Sequence, residues 1–197
     1  MKHLKSLLLL FICHGLISCS IFTPVQTLPE FPLFDPADLG QDIQLTQIVT
    51  SEVDELPQVM LAAWSIQEGQ MNLVGLTITG QEILRLQYDG KKLIEQYSPM
   101  LTIPINGRIV ISQIQFSYWP FDKIQQTLER TDWKLLQDNQ QRTIIYKNYP
   151  ITTIKEITGT ITPDKFSQYW PELMLESPKL EQRLTIKTFV TGKKDEQ

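Results

Sequence analysis

The side chains that most often carry catalysis or bind metal are few in this chain of 197 residues: two histidines, His3 and His14, and two cysteines, Cys13 and Cys19. His3, Cys13 and His14 fall within residues 1–18. That stretch opens with the basic Lys2 and Lys5, and an apolar run from Leu7 follows, interrupted at His14, to Ile17. The pattern is that of a removable secretion signal, too short for a membrane span of roughly 20 apolar residues. Its removal takes away every histidine and leaves one cysteine. Ser-His-Asp and Cys-His arrangements and the usual zinc sites then lack their atoms. The nine glycines form no G-x-S-x-G, P-loop or dinucleotide fingerprint. Carboxylate chemistry remains, but Glu52, Asp54 and Glu55 cluster where a hairpin loop is expected, and Asp89 reads as a turn former. Neither Lys155 with Glu156 nor Ser65 with a distant lysine has the spacing of a dyad. The expectation is a protein that is not an enzyme, with no catalytic residues, no metal and no cofactor.

The remaining cysteine has a different chemistry. Leu16-Ile17-Ser18-Cys19 resembles the bacterial lipoprotein box, which implies cleavage before Cys19 and its acylation by palmitate-like chains. Each buried methylene contributes about 0.8 kcal/mol, so two or more chains anchor a domain without a spanning helix. In such lipoproteins Ser20 at the next position implies the outer membrane, facing the periplasm. No disulfide can form within the mature chain, although the compartment is oxidising. Removing Lys2 and Lys5 leaves 16 basic residues against 22 acidic. That balance offers no basic footprint for nucleic acid.

The organisation expected is residues 1–18 as signal, 19–40 as a lipidated Pro-rich tether, 41–192 as a single β domain and 193–197 as a charged tail. Pro24, Pro29, Pro32 and Pro36 extend the tether. Phe22, Leu28, Phe31, Leu33 and Phe34 make it too apolar to be wholly solvated, so part of it should pack on the domain. Short strands are expected at 42–51, 57–67, 70–79, 82–89 and 92–98, separated at Asp54-Glu55, Glu68-Gly69, Thr79-Gly80 and Asp89-Gly90. Such short links make neighbours antiparallel. In the fourth run Leu84, Leu86 and Tyr88 alternate with Arg85, Gln87 and Asp89, while the second and third runs are apolar on nearly both faces. Such strands are covered on both sides, or one face lines a cavity.

After Asn106-Gly107 the period becomes helical, with Val110, Ile111, Ile114 and Tyr118, and again with Phe121, Ile124 and Leu128, with Pro120 in the first turn of the second helix. Strand texture returns at 132–138, 141–149, 151–158 and 181–190, and more weakly near 172–176. Strands, then helices, then strands argue against an alternating α/β sheet.

Leu61-Ala62-Ala63-Trp64, Val74-Gly75-Leu76-Thr77 with Gly80, and Leu86-Gln87-Tyr88-Asp89-Gly90 resemble an uncharacterised family of small bacterial outer-membrane lipoproteins associated with aryl-polyene and related fatty-acid/polyketide loci. The resemblance continues through Trp119-Pro120 and Trp133. It implies the lipoprotein carrier and receptor fold (LolA/LolB-like). The expected class is therefore mainly antiparallel β (α+β): an open half-barrel of roughly nine to ten strands with a short two-helix lid, 107–130, over a greasy cavity. Trp64, Leu76, Ile78, Leu84, Leu86, Ile114, Trp119 and Phe121 are the candidates for the cavity lining, against the alternative that they close a dry core. The expected work is to bind or hand on a hydrophobic lipid or acyl cargo, aryl-polyene included, with the membrane and a periplasmic carrier or envelope transporter as partners. A scaffolding lipoprotein that docks an envelope transport or biosynthesis complex is the alternative.

Overall fold

Period-two alternation of apolar residues along short runs is met by ten antiparallel strands: β1 (Ile43–Val53), β2 (Leu56–Gln67), β3 (Gln70–Leu76), β4 (Glu82–Tyr88), β5 (Leu93–Tyr97), β6 (Trp133–Gln137), β7 (Gln141–Tyr146), β8 (Tyr149–Glu156), β9 (Glu172–Ser177) and β10 (Gln182–Phe189). Two helices, α1 (Gly107–Tyr118) and α2 (Phe121–Leu128), separate the fifth strand from the sixth. The computed structural model describes residues 28–53, 56–101, 105–138, 140–157 and 172–189. The signal, Cys19 and the 193–197 tail lie outside them. The described residues from Phe31 onward belong to one compact unit.

The strands form a single sheet in the order β5-β4-β3-β2-β1-β10-β9-β8-β7-β6. The chain thus builds a meander outward from β1 to one edge, crosses through the helices to the other edge, and returns to pair β10 with β1. Tight turns set the register. Glu68 and Gly69 join β2 to β3 with φ of 51° and 73°, and Lys147 and Asn148 join β7 to β8 with φ of 47° and 68°. Two successive positive φ values are the mirror-image turns whose twist matches that of paired strands.

The half-barrel expectation is corrected here. The sheet does not close, and β5 and β6 are its two edges, without partner strands among the described residues. Nor does it present a cup beneath a lid. The face that would line one is filled by Ile111, Phe116, Trp119 and Ile124 from the helices and by Phe31, Phe34 and Leu39 from the segment before β1. Apolar strand faces read alike in a sequence whether side chains or a ligand meet them. Here side chains do.

Local rules place the helices. Asn106 Oδ1 accepts from Ile109 N at 3.1 Å and caps α1. The chain leaves α1 at Trp119, and Pro120 is the residue before the first turn of α2, one position earlier than its first turn. Asp35 Oδ1 accepts from Ala37 N at 2.9 Å and starts a short 3-10 turn, Pro36–Leu39, that leads into β1.

Candidate functional site

The face of the sheet that meets the helices is set by register. Leu45 lies opposite Trp64, Trp64 opposite Leu73, Leu73 opposite Leu86, and Gly75 opposite Leu84, so these residues share one side. Four of the eight expected lining residues come together there: Trp64, Leu84, Leu86 and, from the end of α1, Trp119, each no more than 1% exposed. Ile114 and Phe121 are half-buried at its margin. Leu76 and Ile78 are not part of it. β3 ends at Leu76, where alternation and its pairing with Leu61 put it on the opposite face. Ile78 stands in the loop before β4, 71% exposed. Its sequence predicts a strand to residue 79, but a register shift at Gly75/Leu76 ends the pairing early.

The residues that composition did not single out are polar and buried. Helix α1 presents Ser112, Gln113, Gln115 and Ser117 to the interior. Gln115 grips one residue of the incoming segment: its Oε1 accepts from Phe34 N at 2.9 Å and its Nε2 donates to Phe34 O at 2.6 Å. Arg108 Nε donates to Phe31 O at 2.7 Å, and Trp119 Nε1 to Asp35 O at 3.0 Å. Segment 31–35 is therefore strapped along α1 by three side chains. Gln113 Nε2 donates to Gln182 Oε1 at 3.2 Å. Ser112 Oγ is buried without a hydrogen-bond partner.

A second polar group lies beneath the last turn of α1. Trp64 Nε1 donates to Gln47 Oε1 at 3.0 Å, while Gln47 Nε2 donates to Tyr118 Oη at 2.7 Å and to Thr188 Oγ1 at 3.1 Å. The rings of Trp64 and Tyr118 lie 5.2 Å apart, tilted by 55°. Burial pushes the Tyr118 phenol up to about 12, against the lowering effect of Thr188 and Gln47. Phenol and amide are thus both neutral at physiological pH.

Arg142, on β7, is 1% exposed and closes the C-terminal end of α1. Its Nη1 donates to Phe116 O at 2.7 Å and to Trp119 O at 2.9 Å, and its Nε to Gln137 Oε1 at 2.9 Å. A cation at that end meets the negative pole of the helix. Burial pulls the guanidinium down to about 9, which still leaves it charged at neutral pH. The other end of α1 rests on the β5 edge: Gly107 N donates to Tyr97 Oη at 3.0 Å, and Tyr97 Oη donates to Glu95.

The opposite face of the sheet divides in two. Across β1, β10, β9 and β8 it carries ion pairs, with Arg183 between Glu52 and Glu176, Lys155 on Glu176 and Lys187 on Glu172. Across β1, β2 and β3 it is apolar, with Ile48 opposite Leu61 and Leu61 opposite Leu76. Val59 and Phe189 flank this half and are exposed.

The inner face is apolar and filled by the protein's own side chains, and it holds neutral hydrogen-bonding groups in fixed positions. The family model described as "Protein of unknown function (DUF3261)" matches residues 44–190. That span runs from β1 through β10. No curated protein matches the chain.

Proposed function

The chain belongs to the DUF3261 family, and we propose that it is a non-enzymatic lipoprotein of the outer membrane, anchored through Cys19 and facing the periplasm. It binds a hydrophobic lipid or acyl chain between the sheet and its helical cover and hands it on to the membrane or to a periplasmic carrier or envelope transporter.

One observation carries this reading. The helix that covers the apolar sheet is joined to its surroundings by the polar side chains of Gln113 and Gln115 as well as by the apolar Ile111, Phe116 and Trp119. An intramolecular hydrogen bond contributes only about 1 kcal/mol net, because water replaces it when the seam opens. Burial of a leucine-sized side chain contributes roughly 1.5–3 kcal/mol and has no such replacement. The polar part of this seam therefore opens at smaller cost than an apolar seam of the same extent would. The sheet beneath it, with Leu45, Trp64, Leu73, Leu84 and Leu86, then receives a chain in its place.

Full-length lipidated protein in nanodiscs, ejected into a native mass spectrometer after incubation with oleate, tests this. One retained oleate per chain supports the reading, and a bare chain at every concentration refutes it. A scaffolding role is the second reading, favoured by the half-exposed apolar strip of Ile48, Leu61 and Leu76 on the opposite face. It predicts that charged substitutions at Ile48 or Leu61 remove function in the cell while leaving oleate uptake intact.

A further inference from the structure

We propose that the cargo carries an uncharged hydroxyl head, and that the head seats on Gln47 and Thr188, where Tyr118 Oη now sits. This inference rests on the binding reading above. Gln47 and Trp64 stand on neighbouring strands of the sheet, and Thr188 on the third, directly opposite Gln47. The indole N–H of Trp64 holds Gln47 Oε1, which turns the amide so that Nε2 points to the phenol. The donor and the Thr188 hydroxyl are thus fixed by the sheet, and only their partner belongs to the cover. When α1 withdraws, Tyr118 Oη leaves with it. Gln47, flanked on its strand by Leu45 and Val49, keeps its bond to Thr188, and once a cargo covers it in place of α1 the other Nε2 hydrogen is buried without an acceptor. A cargo that restores that bond is favoured over one that does not, because an unmet buried donor is costly to leave.

The chemistry of the seat selects the head. Gln47, Trp64, Thr188 and Tyr118 are all neutral, so a carboxylate placed there would be buried without a countercharge in the group. A plain hydrocarbon leaves one of the two Nε2 hydrogens unmet. A hydroxyl accepts from Gln47 and shares a bond with Thr188 as the phenol now does, at 3.3 Å. The ring beside Trp64 shows that the seat also admits a flat aromatic group.

Three probes with the same ring and tail separate these heads: 4-octylphenol, octylbenzene and 4-octylbenzoate. Each displaces cis-parinaric acid from the full-length lipidated protein in nanodiscs, with empty nanodiscs as reference. The expected result is that the phenol displaces at about tenfold lower concentration than either of the others, the worth of one buried hydrogen bond. Gln47→Leu should reduce that preference to less than twofold. Thr188→Val, at a half-buried position, should reduce it in part and serves if Gln47→Leu does not fold. Equal displacement by all three overturns the hydroxyl seat and leaves the binding reading standing. Failure of both parinaric acid and 4-octylphenol to bind, the latter read by native mass spectrometry, overturns the binding reading. A preference that survives both substitutions overturns the placement of the head.

Discussion

The side-chain amide of Gln115 is bonded at both ends to the backbone of Phe34, 81 positions earlier in the chain, at 2.9 Å through Oε1 and 2.6 Å through Nε2. Such a pairing imitates one rung of a β-ladder, and it fixes where the segment before β1 enters the core. Phe34 then packs edge-on against Phe116, with ring centroids 5.0 Å apart.

Gln115→Leu therefore leaves a peptide N–H and C=O buried without partners. The expected loss is about 2–3 kcal/mol in urea unfolding. Limited proteolysis should show faster cleavage near residues 34–40. Stability equal to that of the parent would mean the grip carries no weight.

Arg142 is the other fixed point of the cover. Arg142→Met keeps the volume and removes both donors from the end of α1, exposing Phe116 O and Trp119 O to an apolar neighbour. A loss of about 2–4 kcal/mol is expected. It should depend little on salt, since the contacts are buried. A change below 1 kcal/mol would count against the helix-end role.

Gly107 tests the opposite end of α1. A Cβ there would lie 2.5 Å from Leu86 Cδ2 and 2.8 Å from Glu95 Oε2. Alanine gains up to about 1 kcal/mol of helix propensity over glycine, but overpacking costs typically 1–3 kcal/mol. The clash should win: Gly107→Ala is expected to lower stability and to raise amide exchange in the first turn of α1. A stabilised variant would show that this end of the cover is already loose.

Tyr118 gives a pH signature. Unfolded, the phenol ionises near 10; folded, it holds its proton to about 12 because burial disfavours the anion. The stabilising contribution is complete below pH 10 and is lost as pH rises towards 12, on the order of 2 kcal/mol across that window. Tyr118→Phe should flatten this decline while lowering stability at pH 7 by about 1 kcal/mol, as Gln47 loses its acceptor. Unfolding free energies measured between pH 7 and 12 for both proteins decide it.

Strand positions were legible in the sequence because alternation and glycine turns are local signals. Leu84, Leu86 and Tyr88 share the inner face as their spacing predicts. The Lys147-Asn148 turn was run through as strand, since it contains no glycine. The prolines mark the segment at Phe31 and Phe34 as tether, while its aromatics point to packing on the domain, and both rings are buried. On α1 the apolar spacing names Ile111 and Tyr118, which are buried, and Val110 and Ile114, which are only half-buried, but not Gln115 and Ser112, which are fully buried. A polar residue on a helix is assigned to water by any apolar pattern, and only its distant partner, here the Phe34 backbone, reveals otherwise. The same reason hid Arg142 and Gln47. The half-barrel failed for a related cause: nothing in an apolar strand says what fills the space before it.

The central claim is that an apolar chain replaces the helical cover over Trp64. Energy transfer from tryptophan to cis-parinaric acid in nanodiscs carrying the full-length lipidated protein measures this most directly. The account predicts saturable transfer at one probe per chain, reduced when Trp64 is changed to phenylalanine. Transfer that rises linearly with probe, as it does by partition into the nanodisc lipid alone, would contradict it.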